Sequence, residues 1–157
     1  MAARLGDHLT SVIRPGIRII LVALLAYSVW TVGRAYWQQD EAHRQIAQAY
    51  EFVIHNGDVT SHLACFCDCG KREGHGSLDS CFVSRRDAAG RMVSRDPHAE
   101  TCKICIDVAL AAQRMLSEGA TLREIRSAVD AEYATAQPLS TDTPQPPDTL
   151  HPAHQNR

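Results

Sequence analysis

ACFCDCG, residues 64–70, places three cysteines at alternate positions, Cys65, Cys67 and Cys69. Alternate side chains of an extended or turning backbone lie on the same side, so the three sulfur atoms can approach one point. Cysteines at this spacing are poorly placed to form a relaxed disulfide with each other. Because thiolates are preferred ligands of soft and borderline metal ions, the run indicates part of a metal site around which the domain folds.

A second group of donors lies at the start of a predicted helix. The pair Asp96-Pro97 predicts that start, because Asp is a preferred N-cap residue and Pro is favoured in the first turn. The helix is predicted to continue to about residue 118, so His98, Cys102 and Cys105 would occur at i, i+4 and i+7 on one face. The positive end of the helix dipole favours thiolates there. This helix would supply the second half of the metal site.

The donors of both halves, together with those between them, form the candidate ligand set. The candidate metal ligands are Cys65, Cys67, Cys69, His75, Cys81, His98, Cys102 and Cys105. Eight donors suffice for two closed tetrahedral sites or for one polynuclear thiolate cluster. Ligand softness indicates copper or zinc as the cofactor, and the crowded cysteines slightly favour Cu(I). Asp68, Glu73 and Asp79 are candidate acceptors for imidazole N–H groups.

Other roles for the six cysteines stay open at the level of sequence. An even number of cysteines in an exported domain is also typical of a disulfide framework, and six cysteines allow fifteen connectivities. A redox pair of Cys102 and Cys105 is a third alternative. A c-type haem attachment site is excluded, because Ile106 follows where histidine is needed.

The composition and motifs of the chain argue against nucleic-acid binding and against several classes of enzyme. The formal net charge is −2, and no Lys/Arg stripe is interleaved with aromatic residues, so no nucleic-acid partner is expected. The sequence contains no Ser/His/Asp order, no paired-carboxylate site and no phosphate-binding loop. We therefore expect no enzyme of these classes, and only the thiol oxidoreductase alternative stays open.

The N-terminal segment predicts a membrane anchor. The apolar run Ile19–Val32 contains no charge, follows three arginines and is flanked by aromatic residues. It is short for a full span, so a signal peptide cut near residues 33–35 is an alternative, as is a buried core helix. More positive charge precedes the run than follows it, which directs the N-terminus inward and the cysteine domain outward.

The predicted fold class is mostly α. It is a small Cys/His-rich domain with an αα-hairpin and an irregular metal-binding loop, tethered by an N-terminal transmembrane helix. A helix is predicted from residue 38 to His55 with Gly57 as a left-handed stop, a loop from 70 to 80, and a helix opened by the capping box Thr121–Glu124. The domains are 1–37 (anchor), 38–136 (Cys/His-rich domain) and 137–157 (a disordered Pro-rich tail).

Several blocks in this order resemble the PCYCGC-motif family. The blocks are Ala64–Cys69, Gly74–Ser77 with Asp79–Val83, Asp96–Ala99 with Cys102–Cys105, and Glu124–Arg126 with Tyr133. Ala64, Phe66 and Asp68 stand where the family's signature has proline, tyrosine and glycine, while all three signature cysteines are kept. The resemblance implies a small exported bacterial protein with a metal-binding role, and it implies no reaction. Family members are often lipoproteins, but no lipobox cysteine lies near the apolar run, so anchoring by helix is expected here.

The sequence thus predicts a membrane-anchored extracytoplasmic metal-binding protein, for copper or zinc handling or with a structural metal. The alternatives are a disulfide-stapled accessory module of a membrane complex and a thiol–disulfide redox protein. The expected partners are a metal ion, the membrane through the N-terminal helix, and a protein whose identity the sequence does not indicate. The expected location is the bacterial cytoplasmic membrane, crossed once, with the C-terminal domain outside.

Overall fold

The computed structural model describes residues 2–133, 135 and 139–147, without the side chains of residues 2–15, 69 and 71. The chain divides into two compact units, residues 1–43 and 44–157. The elements in chain order are α1 (Ala2–His55), α2 (Gly57–Thr60), α3 (Cys69–Glu73), α4 (Leu78–Phe82), β1 (Val83–Arg86), β2 (Met92–Arg95), a 3₁₀ turn (His98–Thr101), α5 (Lys103–Ser117) and α6 (Leu122–Glu132). The prediction of a mostly helical, Cys/His-rich fold is confirmed.

The first unit is the part of α1 up to His43, and the apolar stretch within it is exposed. The part Gly16–His55 has a window of mean hydropathy 1.8 with none of it buried, and side chains such as Trp30 are more than half exposed. A continuous apolar helix satisfies its own backbone hydrogen bonds, which is what a lipid environment demands. The helix is therefore long and apolar enough to cross a membrane or to act as a signal sequence.

The last turns of α1 belong to the second unit and pack into its core. Ala49, Tyr50 and Val53 are at most 3% exposed, and Ile46 packs beside them, as the helical spacing predicts. The ring of Tyr50 meets that of Phe82 edge to face at 4.8 Å between centroids. Such contacts fix the end of α1 against α4, next to the segment that carries the cysteines.

An αα-hairpin of α5 and α6 contributes buried residues to the same core, as predicted. Gly119 ends the first helix in the left-handed region at φ +88°. Thr121 and Glu124 form the predicted capping box, in which the Glu124 N–H donates to Thr121 Oγ1 and the Thr121 N–H donates to Glu124 Oε2. Ile125 and Val129 of α6 are buried. The sequence signals for this hairpin are local, which explains why they predict it well.

A two-stranded antiparallel hairpin of β1 and β2 was not predicted from the sequence. Its residues are mostly polar, and burial alternates along β2 but not along β1. The turn is closed by Asp87, whose carboxylate accepts the N–H groups of Ala89 and Arg91, and by Gly90 at φ +77°. These N–H groups hold the pKa of Asp87 below its usual value, Arg91 contributing most. Turn chemistry, rather than hydrophobic pattern, determines this element.

Two other local predictions are wrong. The stretch from residue 70 to 80 is not an irregular loop, since it contains most of α3 and the start of α4. Gly57 is not a left-handed stop, because α2 begins there with a negative φ. A Cβ at Gly57 would come within 2.6 Å of the Arg86 guanidinium, so the close approach of Arg86 is what suits glycine to this position.

Residues 139–147 correct the prediction of a tail that is disordered from residue 137. Thr141 and Thr143 are at most 7% exposed. The Thr141 N–H donates to the Cys65 carbonyl, and the Cys65 N–H donates to Thr141 Oγ1, both at 2.9 Å. Buried Arg126 donates to the Thr143 carbonyl. These bonds join residues far apart in sequence, so composition could not indicate them; residues 136–138 and 148–157 lie outside the described part.

The contact between the tail and the cysteine run gives a stability prediction. Thr141→Val keeps the shape of the side chain but leaves the buried Cys65 N–H without its acceptor. The free energy of unfolding should fall by about 1–3 kcal/mol, measured by denaturant unfolding of the full chain. Asp142→Ala, one residue away on an exposed side chain, should leave it unchanged. Equal effects of the two substitutions would show that the tail does not pack as described.

Arg86 gives a second stability prediction, because it ties three segments together. Its guanidinium donates to both carboxylate oxygens of Asp79 and to the carbonyls of Val53, Ile54 and Gly90. Both members of the ion pair are at most 17% exposed. Arg86→Ala should lower the free energy of unfolding by about 2–4 kcal/mol, because it strands the Asp79 charge and two helix carbonyls.

The matched control for Arg86→Ala is Arg91→Ala in the same hairpin. Arg91 also pairs with an aspartate, Asp87, but its side chain is 81% exposed. Exposed pairs of this kind contribute little to stability. A similar loss for both variants in denaturant unfolding would contradict the structural role assigned to Arg86.

Candidate metal centre

The cysteine run enters the core from α2 and turns sharply after its second cysteine. Cys65 and Phe66 are at most 1% exposed, and Phe66 stacks on Tyr133 of the αα-hairpin at 5.2 Å between ring centroids. Asp68 adopts the left-handed conformation at φ +63°, which lets α3 begin at Cys69. Aspartate tolerates this conformation better than most residues. Burial of Phe66 and the turn at Asp68 thereby fix the direction of the two described sulfur atoms of the run.

The second half of the centre is not built on a single helix, which corrects the prediction. His98 begins a 3₁₀ turn, Cys102 has extended dihedrals as the N-cap residue, and α5 begins only at Lys103. The Asp96 carboxylate accepts the His98 N–H at 2.8 Å and so holds the turn that precedes the helix. The side chains of His98, Cys102 and Cys105 still converge, but they do so by a bend of the backbone and not by helical periodicity.

One set of donors, here called the sulfur–imidazole group, consists of Cys67, His98, Cys102 and Cys105. One ligand atom of each lies within 4.8 Å of the others. Cys67 Sγ is 3.6 Å from Cys105 Sγ and 3.5 Å from His98 Nε2. Ligands on a tetrahedral zinc ion would be separated by about 3.8 Å for two sulfurs and about 3.6 Å for sulfur and nitrogen, from the usual bond lengths. The observed separations fit one four-coordinate ion.

A second set, the sulfur group, consists of Cys65, Cys81 and Cys105. All three cysteines are at most 1% exposed, and one sulfur of each lies within 4.8 Å of the others. Cys65 Sγ is 3.5 Å from Cys105 Sγ and 3.1 Å from Cys67 Sγ. The two groups therefore share the Cys105 sulfur and touch again between Cys65 and Cys67. A shared thiolate is the arrangement that can bridge two metal ions. We call the two groups together the thiol centre.

The electrostatics of the thiol centre favour a thiolate. Hydrogen bonds from the thiols of Cys102, Cys105, Cys65 and Cys81 lower the pKa of Cys67 far below its ordinary value. For Cys102, the hydrogen bond with Cys105 acts to lower the pKa, but the Cys67 thiolate and burial outweigh it and raise the pKa to about 11. Cys67 is thus the thiol most easily ionised, and the surrounding thiols can lose their protons when a cation binds.

The two nitrogens of His98 face different groups. Nε2 faces the Cys67 sulfur, and Nδ1 lies 3.1 Å from the Glu73 carboxylate. A carboxylate beside the far nitrogen is the usual orienting partner of a metal-binding histidine, and Glu73 was predicted as such an acceptor. The same prediction is wrong for Asp79, which pairs with Arg86 and Thr60 instead. For Asp68, the buried Oδ1 has no hydrogen-bond partner in the described part of the structure.

His75 lies next to His98. The two rings meet edge to face at 5.1 Å between centroids, and the His75 side chain is only 9% exposed. Its Nε2 lies 3.7 Å from the Asp96 carboxylate, while its buried Nδ1 has no hydrogen-bond partner. Glu73, His75 and His98 form a third set with ligand atoms within 4.8 Å, here called the imidazole–carboxylate group. Glu73 is the one donor in these groups that was not predicted as a ligand.

The structure brings the predicted ligands together. All of them fall within the three groups except Cys69, whose side chain lies outside the described part of the structure. Their role as ligands remains a prediction. None of the five described cysteines forms a disulfide bond. His55, by contrast, lies apart from these groups and pairs with Glu51 on the surface of α1.

The chain belongs to the family described as proteins of unknown function with a PCYCGC motif, whose model matches residues 36–146. This confirms the resemblance seen in the cysteine run. No curated protein and no solved structure matches the chain. The match continues past residue 136 and so includes most of the packed tail segment 139–147.

The signature also explains the turn at Asp68. The family motif has glycine between its last two cysteines, and in this chain that position, Asp68, has φ +63°. Glycine adopts this conformation without steric cost, and aspartate is among the few other residues that tolerate it. The motif therefore specifies a backbone turn as well as the cysteines, and the turn is kept here with a charged residue.

Proposed function

We propose that this chain is a membrane-anchored protein that binds zinc or copper ions through its thiol centre. The observation that carries the proposal is the convergence of five described cysteines and His98 on two groups that share the Cys105 sulfur. Thiolate and imidazole donors suit Zn(II) and Cu(I). In the sulfur–imidazole group, Cys67, Cys102, Cys105 and His98 would hold the ion, and Glu73 would orient His98.

The arrangement of the sulfurs favours metal over a set of disulfides. A disulfide framework joins cysteines in pairs, each pair closing its own loop. Here the sulfur atoms of Cys65, Cys67 and Cys105 all lie within 3.6 Å of one another. A disulfide framework does not require three sulfur atoms to meet in this way. An imidazole at 3.5 Å from Cys67 has no part in a disulfide but is an ordinary fourth ligand.

The exposure of the centre supports metal handling rather than a purely structural ion. The sulfur group is buried, but Cys67 and Cys102 of the sulfur–imidazole group are only partly buried, and the side chain of His98 is 14% exposed. A site with such an edge can exchange its ion with a partner, whereas a fully enclosed site cannot. We propose buffering or delivery of the ion, with the second unit outside the cytoplasmic membrane of a bacterium and α1 crossing it once.

Elemental analysis combined with thiol titration tests this proposal. The full chain is purified in detergent without a metal-binding tag, and its thiols are alkylated before and after treatment with a chelator. We expect at least one equivalent of zinc or copper and thiols that react only after chelation. Absence of metal together with absence of reactive thiols in denaturant would contradict the proposal and would establish the disulfide-stapled alternative.

A further inference from the structure

We propose that Glu73, His75 and His98 form a loading site, through which a metal ion reaches the thiol centre. This inference rests on the proposed function, because a loading site requires a resident site behind it. The three residues bring one oxygen and two nitrogen ligand atoms within 4.8 Å of one another. Imidazole and carboxylate are suitable ligands for hydrated divalent ions of zinc and copper.

The buried Nδ1 atom of His75 indicates a ligand that is not a protein group. Its side chain is nine-tenths buried, and its Nδ1 has no hydrogen-bond partner. The other nitrogen, Nε2, lies 3.7 Å from the Asp96 carboxylate. A buried acceptor without a donor is costly, and a cation would satisfy it. No role in the thiol centre accounts for this nitrogen.

The exposure of the donors falls along a path from solvent to sulfur. The side chain of Glu73 is 44% exposed, those of His98 and His75 are 14% and 9% exposed, and Cys105 is 1% exposed. Glu73 is thus the most exposed donor of the three groups, and an ion arriving from solvent meets its carboxylate before it meets the buried Cys105 sulfur. The ligands also become softer in the same order, so each exchange moves the ion to donors that bind it more tightly.

His98 is the point where the two sites meet. Its Nδ1 faces Glu73 at 3.1 Å, and its Nε2 faces the Cys67 sulfur at 3.5 Å. One ring therefore contributes to both sites from opposite edges. The ion would leave Glu73, His75 and His98 Nδ1 and would bind His98 Nε2 and the cysteine thiolates, whose protons pass to solvent. Besides metal–ligand bonds, this transfer breaks the thiol S–H bonds and moves the ring proton of His98 from Nε2 to Nδ1.

The test is the kinetics of Co(II) loading into the metal-free full chain, followed by absorbance in a stopped-flow instrument. Co(II) bound to nitrogen and oxygen shows only ligand-field bands, whereas Co(II) bound to thiolates also shows an intense sulfur charge-transfer band. We expect an early ligand-field phase followed by a thiolate phase. In His75→Asn and in Glu73→Gln the early phase should be lost and the thiolate phase should be at least about 10-fold slower.

The matched control is Glu51→Gln, which removes the carboxylate of the exposed His55–Glu51 pair, at 3.0 Å, and should load like the wild type. Wild-type phases in both His75→Asn and Glu73→Gln would overturn the loading site and leave the proposed function standing. Loss of the final thiolate band in His75→Asn at saturating Co(II) would make His75 a resident ligand and would also overturn it. Absence of a thiolate band in the wild type would contradict the proposed function itself.

Discussion

Cys105→Ser should remove most metal binding, because Cys105 is the one sulfur that both groups of the thiol centre share. A closed zinc site contributes about 10–16 kcal/mol of binding free energy from four ligands, or roughly 2.5–4 kcal/mol for each. Loss of a ligand therefore weakens affinity by about 10²–10³-fold for each ion that it holds. Competition of the full chain with a chromophoric chelator measures this affinity directly.

Cys81→Ser is the matched control for Cys105→Ser. Both cysteines are at most 1% exposed, and both belong to the sulfur group, but only Cys105 also belongs to the sulfur–imidazole group. Cys81→Ser should therefore keep the ion held by Cys67, His98, Cys102 and Cys105. Circular dichroism of the metal-free variants checks that both remain helical. Wild-type metal content in Cys105→Ser would show that the shared sulfur is not a ligand.

Removal of the metal should lower the melting temperature of the second unit by about 15 °C or more. An ion present at 1,000 times its dissociation constant stabilises the folded state by about 4 kcal/mol. Each kcal/mol corresponds to roughly 4–8 °C for a domain of this size. Calorimetry of the full chain with and without chelator gives the difference in melting temperature. Metal-free Cys105→Ser should have the same melting temperature in both conditions.

Metal removal should lower the melting temperature because the ligands come from distant segments of the chain. The thiol centre joins the cysteine run, α4 and the start of α5, so an ion there links segments 40 residues apart, from Cys65 to Cys105. Only the folded chain holds these ligands together, and the ion therefore stabilises that state. Equal melting temperatures with and without chelator would contradict a metal that contributes to the fold.

The ligand set could be predicted from the sequence because cysteines at short, regular spacings indicate it. Alternate cysteines at 65, 67 and 69 and the pair Cys102 and Cys105 indicate metal chemistry whatever the backbone does between them. The capping box at Thr121 and the left-handed Gly119 are likewise local, and both are confirmed. Local propensity and capping patterns predict such features well.

The route by which the ligands converge could not be predicted, since it depends on contacts across the fold. Helical spacing predicted His98, Cys102 and Cys105 on one face of a helix. In the structure the carboxylate of Asp96 holds a 3₁₀ turn, and α5 begins only at Lys103. Thr141 reaches the backbone of Cys65 from 76 residues away. Tertiary contacts of this kind override local propensity, and a polar, Pro-rich segment gives no sign of them.

X-ray absorption spectroscopy of the zinc-loaded full chain tests the central claim most directly. It reports the elements and distances around the ion itself. We predict a first shell dominated by sulfur at about 2.3 Å, close to three sulfurs and one nitrogen at about 2.0–2.1 Å, as Cys67, Cys102, Cys105 and His98 would supply. A shell of nitrogen and oxygen alone would contradict the account, because the ion would then lie outside the thiol centre.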